Sequence, residues 1–336
     1  MIIVLEGDAT DSEIGAVLKE AGRFGTAPAV SRAGSATVVR LPVSGKGDAG
    51  DRLRAMPQVR GVVDGDLPYV LASRDFKRED TLVRVRDVVL GGREVVLMAG
   101  PCAVESRDQL FSVAKQVKAA GARILRGGAF KPRTSPYAFQ GLGEEGLKLL
   151  AEVSRELDLP VVTEVMAPEQ VDLVARYADM LQIGSRSVQN FPLLKAVGRT
   201  RKPVLLKRGM ASEIDEFIAA AEYILAEGND QVVLCERGIR TFDSRTRFTF
   251  DVVAIPLLKR LTHLPVVADP SHATGMAALV PQAALAAVAA GADGLLIESH
   301  PDPREALSDG RQAVTPEELA RLAPQIRAVA AAVGRA

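Results

Sequence analysis

The 336-residue chain has no tryptophan, three histidines and two cysteines; aromatic residues make up 4% of it, and 42 Lys+Arg are balanced by 42 Asp+Glu. Two cysteines cannot frame a disulfide-stabilised fold of this length, so the chain must rely on a packed core, and a reducing, cytoplasmic setting is expected. Zero net charge removes the basic excess that a general nucleic-acid binder would carry. There is no apolar run of the membrane-spanning kind. The longest, Met276 to Ala292, is mostly alanine and is interrupted by Pro281 and Gln282, whereas a span needs about 20 strongly apolar residues. MIIVLE opens the chain without a positively charged lead, so a signal peptide is not expected. What remains, 47% hydrophobic and 25% charged, is ordinary globular composition for one large domain or two smaller ones.

Residues 1–66 read as a small α+β unit. MIIVLE is a strand; Asp11 to Arg23 is a helix with Ile14, Val17, Leu18 and Ala21 on one face and Thr10 or Asp11 as its cap. SATVVRL (35–41) is a strand, Asp48 to Met56 a second helix and VRGVVDG a further strand. This order fits a ferredoxin-like fold. Residues 67–80 show no clear period and read as a linker. TLVRVRDVVLGGREVVLMAG then holds two strand-like runs around Gly91-Gly92, a hairpin signal.

From residue 94 the chain alternates strand and helix. The strand runs are EVVLMAG, RILRGGAF, PVVTEV, MLQIGSRS, PVLLKRG, QVVLCERG, PVVADPSH and GLLIESH. Helical patterns such as QLFSVAKQVKAAG, EEGLKLLAEVSREL and EIDEFIAAAEYILAEG lie between them, the last with Ser212 as N-cap and Gly228 as stop. Short, β-branched, almost wholly apolar strands are those of a parallel sheet covered on both faces. Eight successive units over residues 81–336 predict a closed (β/α)8 barrel, with an open doubly wound sheet as the rival.

Barrel active sites form at the C-terminal strand ends, and charged residues gather there: Cys102 and Glu105 after the first strand, Arg126, Lys131 and Arg133 after the second, Glu164, Arg186, Lys207 and Arg208, Glu236 and Arg237, Asp269 and His272, Glu298 and His300. Arg126, Lys131, Arg133, Arg186, Lys207 and Arg237 would repel one another without a strongly anionic ligand, which points to substrates with several negative charges, such as two phosphates. Some of these cations, Arg208 foremost, are expected to pair with Glu164, Glu236 or Asp269. Cys102, His272 and Glu298 follow neighbouring strands, and Asp309 in the last loop can join them. Such a mixed soft and hard donor set suits Mn, Fe, Co or Zn better than Ca or Mg. His263 is expected to be structural and Cys235 to lie in the core, while His300 is open.

The strings GPCAVES, LRGGAFKPRTSPYAFQGLGEEGL, QIGSRSVQNF, PVLLKRG, LCERGIRTF, DPSHATG and ESHPDPREALSDGRQ resemble the 3-deoxy-D-arabino-heptulosonate 7-phosphate (DAHP) synthases, specifically the type I beta subgroup with an N-terminal ferredoxin-like domain. The similarity runs from about residue 80 to 320. KPRTS separates this group from the sister enzyme that makes 3-deoxy-D-manno-octulosonate 8-phosphate. The resemblance implies condensation of phosphoenolpyruvate and D-erythrose 4-phosphate with water to DAHP and phosphate, the first step of the shikimate pathway.

By that resemblance one divalent ion (Mn2+, with Fe2+, Co2+, Zn2+ and Cd2+ as alternatives) is held by Cys102, His272, Glu298 and Asp309. Phosphoenolpyruvate meets Arg126, Lys131, Arg186, Lys207 and Arg237, and the phosphate of erythrose 4-phosphate meets Arg133 and Thr134 with Ser135 beside them. Lys131 is the candidate acid, Glu164 a candidate to assist the attacking water, and Asp269 sits at the substrate side or orients the ion's neighbours. The N-terminal unit is expected either to bind an aromatic amino-acid effector or to serve oligomerisation or stability, and the subgroup's usual assembly is a homotetramer. Rival readings are a Schiff-base aldolase using Lys207, the octulosonate sister activity, and a non-catalytic phosphometabolite sensor.

Overall fold

The computed structural model of the protein describes residues 1–24, 28–42, 47–65 and 68–336. The domain boundary expected at residues 66–67 lies outside the described residues.

The N-terminal unit runs β1 (Ile2–Leu5), α1 (Asp11–Ala21), β2 (Ala29–Ala33), β3 (Ala36–Arg40), α2 (Asp48–Arg54) and β4 (Val59–Val63). Its sheet has the order β2-β3-β1-β4, and β1 is antiparallel to both neighbours, as a ferredoxin-like fold requires. Alternation along β1 splits its side chains. Ile3 and Leu5 pack with Val17 of α1 and Leu53 of α2, while Ile2 and Val4 join the large core shared with the barrel. Thr10 caps α1 in a capping box with Glu13. Strand β2 had no sequence signal because all five of its residues are exposed on the sheet edge, which leaves no apolar alternation to read.

The segment expected to be a linker packs against the barrel instead. Tyr69, Val70, Leu71 and Ala72 are buried, and the Leu71 and Ala72 amides each donate to the Glu222 carboxylate at 2.8 Å. His263 accepts or donates at both ring nitrogens, 2.7 Å from Thr81 Oγ1 and 2.7 Å from the Leu71 carbonyl oxygen. It is the structural histidine expected.

The hairpin is also displaced from its expected position. It comprises β5 (Val83–Val85) and β6 (Val88–Leu90), and it turns at Arg86-Asp87 with Arg86 at φ 55°, so Gly91-Gly92 lies beyond it. Val83, Val85, Val88 and Leu90 pack against the barrel's inward side chains and plug it.

The barrel strands are β7 (Val96–Gly100), β8 (Ile124–Arg126), β9 (Val161–Val165), β10 (Met180–Ile183), β11 (Val204–Lys207), β12 (Val232–Glu236), β13 (Val266–Ala268) and β14 (Gly294–Glu298). All pair in parallel, and β14 closes on β7 with Gly294 opposite Val96. The sheet is therefore closed, and the open-sheet alternative is removed.

Around it lie α3 (Arg107–Ala119), α4 (Glu144–Leu157), α5 (Val171–Tyr177), α6 (Phe191–Gly198), α7 (Ile214–Ala226), α8 (Ala254–Leu261), the short α9 (Pro270–Thr274), α10 (Val280–Ala289) and α11 (Pro316–Ala332). The N-cap of α7 is Glu213, in a capping box with Glu216, rather than Ser212. Among the described residues no helix is long and apolar enough to cross a membrane.

Alternation along each strand sets up the site. Met98, Ile124, Val162, Met180, Leu205, Cys235, Val267 and Leu296 point inward into one apolar layer. Two residues further along the same strands, that inward face carries Arg126, Glu164, Gln182, Lys207, Arg237, Asp269 and Glu298. The polar layer thus sits directly on the apolar one.

Candidate active site

A cavity of about 400 Å³ opens at the C-terminal mouth of the barrel, in the size range of small-molecule sites. Of the expected residues, Arg126, Lys131, Arg133, Thr134, Ser135, Glu164, Arg186, Lys207, Arg237, His272 and Asp309 line it. Cys102, Asp269 and Glu298 lie behind this lining.

Cys102, Glu298 and Asp309 each place a donor atom within 4.8 Å of the others. An ion with ligands at about 2.0–2.3 Å holds donor pairs no more than about 4.6 Å apart, so little adjustment is needed. The Cys102 thiol donates to Asp309 Oδ2 at 3.6 Å. His272 reaches the group through Nε2, 3.3 Å from Glu298 Oε1. Burial pushes the Cys102 thiol up to about 11, with Glu298 adding to the shift. Burial likewise drives the His272 imidazolium down to about 4, against the pull of Asp269 and Glu298. Burial works against the Glu298 carboxylate, yet His272, Arg126 and Lys131 hold it down to about 2. A neutral imidazole beside ionised carboxylates and a buried sulfur fits a borderline divalent ion.

Asp269 is wholly buried and does not line the cavity. It accepts from His272 Nδ1 at 2.7 Å, from the His272 amide at 2.9 Å and from Lys207 Nζ. Although burial opposes its charge, His272 and Lys207 hold its carboxyl well below the usual range. Its carboxylate is thus turned to His272 and Lys207 rather than to the cavity. Lys207 is committed to this ion pair and lies 3.5 Å from His272 Nδ1, unlike the free amine of a Schiff-base aldolase.

Two of the six rim cations carry their own counter-charge, since Arg126 Nη1 also donates to Glu298 Oε1 at 2.8 Å. Arg208 pairs with Glu236 and Asp251, each at 2.9 Å, as expected of a structural cation. Arg133 Nη1 and Arg237 Nε and Nη1 are buried without a hydrogen-bond partner among the described residues. Arg237 stacks on Phe248 at 4.2 Å, and burial lowers its pKa. Such donors suit an anion. Burial opposes the charge on Lys131 too, but Cys102 and Glu298 outweigh it and raise its pKa. Arg186 donates to the Pro132 carbonyl at 2.6 Å and to Thr134 Oγ1 at 3.3 Å, bracing the KPRTS loop.

Several residues escaped the sequence reading. Gln182 Nε2 donates to Glu164 Oε2 at 3.1 Å, and the inward parity of β10 marks it. Gln312 Nε2 donates to Glu298 Oε2 at 2.7 Å and accepts from Arg247, which also sits 3.4 Å from Asp309. Arg240, Arg247 and Met210 line the cavity from loops with no period to betray them. His300 stands outside the cavity, facing Glu105 at 3.5 Å.

The mouth thus defines a class: a (β/α)8 barrel with an anion-receiving cavity set against a compact sulfur, imidazole and carboxylate donor group. The chain belongs to the DAHP synthetase I family, whose model matches residues 76–334. It is 42% identical over 99% of both lengths to phospho-2-dehydro-3-deoxyheptonate aldolase of Thermotoga maritima. The crystal structure of that organism's enzyme, described as a DAHP synthase, superposes with a TM-score of 0.79 at 41% identity, covering 99% of this chain and 98% of that one. A 2-dehydro-3-deoxyphosphooctonate aldolase of Syntrophotalea carbinolica is 33% identical over 76% of this chain and 97% of its own.

Proposed function

We propose that the chain is a DAHP synthase, joining phosphoenolpyruvate and D-erythrose 4-phosphate with water to give DAHP and inorganic phosphate at the entry to aromatic amino-acid biosynthesis. The observation that carries this reading is the one cavity lined together by the cations Arg133, Arg186 and Arg237 and by His272 and Asp309 of the donor group. The two substrates bring together about five negative charges near neutral pH.

Arg126, Lys131, Arg186, Lys207 and Arg237 receive phosphoenolpyruvate, and Arg133, Thr134 and Ser135 grip the aldose phosphate. Cys102, His272, Glu298 and Asp309 hold a divalent ion, Mn2+ foremost. When bound, that ion supplies Lewis-acid polarisation of the aldehyde or orientation of a water. The C2=C3 π pair of phosphoenolpyruvate forms the bond from C3 to the aldehyde carbon and leaves C2 electron-poor, the C=O π pair moves onto the aldehyde oxygen, and Lys131 donates the proton that quenches the new alkoxide. Water then adds at C2 with Glu164, steered by Gln182, taking its proton, and the C2–O bond breaks to release phosphate. The N-terminal unit binds an aromatic amino acid as effector in this reading, and the chain works as a homotetramer in the cytoplasm.

A steady-state phosphate-release assay tests these points together. EDTA should abolish the rate and Mn2+ should restore it. Arabinose 5-phosphate in place of erythrose 4-phosphate should give little product. About 1 mM tyrosine or phenylalanine should depress the rate. Full activity in a metal-free Cys102→Ala variant refutes the ion's role, and an unchanged rate with either amino acid refutes the effector.

A further inference from the structure

Glu105 lies outside the cavity, yet it bridges the segment after Cys102 to the loop that carries Asp309. It precedes Ser106, the N-cap of α3, and its own amide donates to Gln109 Oε1 at 3.4 Å. From that helix start its side chain crosses to the long loop between β14 and α11. There Oε1 accepts the Leu307 amide at 2.9 Å, and Oε2 lies 3.5 Å from His300 Nε2. His300 Nδ1 accepts from the Asp302 amide at 3.1 Å, so a neutral ring carries its proton on Nε2, toward Glu105. That nitrogen is buried and makes no hydrogen bond among the described residues, with Glu105 Oε2 the carboxylate oxygen facing it.

The sequence positions make these contacts consequential. Glu105 follows Cys102 by three residues, His300 follows Glu298 by two, and Leu307 precedes Asp309 by two. Asp309 itself sits in a left-handed backbone conformation, φ 48°. The adjacent Gly310 leaves no room for a side chain, since a Cβ there would meet the Pro303 carbonyl oxygen at 2.0 Å. A loop folded this tightly, around a residue in an unfavourable conformation, needs an external anchor to keep its carboxylate aimed at Cys102.

We propose that Glu105 is a positioning residue for the divalent-ion site, holding the Asp309 loop against the Cys102 strand end through Leu307 and His300. This rests on the reading of Cys102, Glu298 and Asp309 as ion ligands. The test is Mn2+ binding to purified, metal-stripped full-length protein, read as free Mn2+ by electron paramagnetic resonance, with the thiolate-to-metal absorption of the Co2+ form as a second signal. Glu105→Ala should weaken Mn2+ binding about 10- to 100-fold and shift the Co2+–thiolate band, while the thermal midpoint of the ion-free protein stays near wild type. Glu105→Gln, which keeps an acceptor for the Leu307 amide, should recover part of the affinity. Wild-type Mn2+ affinity in Glu105→Ala overturns the proposal. If Glu105→Ala fails to fold, Glu105→Gln decides: a folded Gln variant with weakened Mn2+ binding and a shifted Co2+ band supports the proposal, and a folded one with wild-type affinity and an unshifted band overturns it. Failure of the wild type to bind Mn2+ or Co2+ at all refutes the ion site itself, and this inference with it.

Discussion

Gly184→Ala is the sharpest small perturbation of the mouth. Gly184 follows β10, and a Cβ there would stand 2.0 Å from Glu164 Oε1 and 2.8 Å from its Cδ, where ordinary contact begins at 3.4 Å. The backbone is unstrained at φ −68°, so the whole effect is steric. The Glu164 carboxylate must retreat by more than about 1 Å, losing or dragging its bond from Gln182. Misplacing a reacting group by about 1 Å costs on the order of 100-fold in rate, and overpacking a buried site costs about 1–3 kcal/mol of stability. The expected result is a kcat lowered on the order of 100-fold, with Mn2+ affinity and the KM for erythrose 4-phosphate little changed, because Cys102, His272, Glu298, Asp309 and Arg133 lie at other strand ends. Glu164→Asp in the same background shortens the clashing side chain and should restore most of the stability, which a double-mutant cycle in urea would register as coupling. Wild-type kcat and wild-type urea midpoint in Gly184→Ala would refute both the steric reading and the role of Glu164.

Arg133→Ala should raise the KM for erythrose 4-phosphate by about tenfold or more, the scale of one lost charged hydrogen bond, and move the KM for phosphoenolpyruvate much less; equal effects on both would remove its assignment to the aldose phosphate. Burial lowers the pKa of His263, with the Lys77 and Arg74 charges adding to the shift and the Leu71 carbonyl opposing it. The protonated ring therefore prefers the unfolded chain. Stability is level above the unfolded-state value of about 6.5 and declines as pH falls below it. His263→Gln should flatten that decline in urea midpoints measured down to about pH 5. An equally steep decline in the variant would show that His263 does not carry it.

How much of this was legible in the sequence follows from where the physical signal is strong. All eight barrel strands stand where apolar, β-branched runs mark them, because burial on both faces leaves few alternatives. The ferredoxin-like unit was legible for the same reason, apart from β2, which buries nothing. Strand parity carries information that the reading by strand ends left unused. Lys207 and Arg237 continue the inward face of Leu205 and Cys235, whereas Arg208 and Glu236 fall on the outward face and pair with each other at 2.9 Å. Counting in twos from the apolar layer separates charge that points into the barrel from charge that points outward, and it would have named Gln182. No such period reaches Arg240, Arg247 or Gln312, whose places are set by loop conformation. The linker was misread because its docking depends on single hydrogen bonds to Glu222 and His263, which leave no repeating pattern.

The cationic rim and the donor group, separable on paper, form one chain of contacts: Arg126 to Glu298, Glu298 to His272, His272 to Asp269, and Asp269 to Lys207. Buried ion pairs add little net stability, but removing one partner strands a charge at a cost of about 3–5 kcal/mol. Their value here lies in geometry. Glu298 is held by Arg126 from another strand, and His272 is held by Asp269, which Lys207 fixes from another strand in turn. That division also sorts the cations. Arg126 and Lys207 are ion-paired to Glu298 and Asp269, although Arg126 Nε too is buried without a partner, while Arg133 and Arg237 keep buried unpartnered nitrogens with no close ion pair among the described residues and Arg186 binds neutral oxygens. These last three, from three different strand ends, are the positions where an incoming phosphate or carboxylate gains most. Neutralising one of them should therefore weaken substrate binding without loosening the ion, and neutralising Arg126 or Lys207 should disturb both.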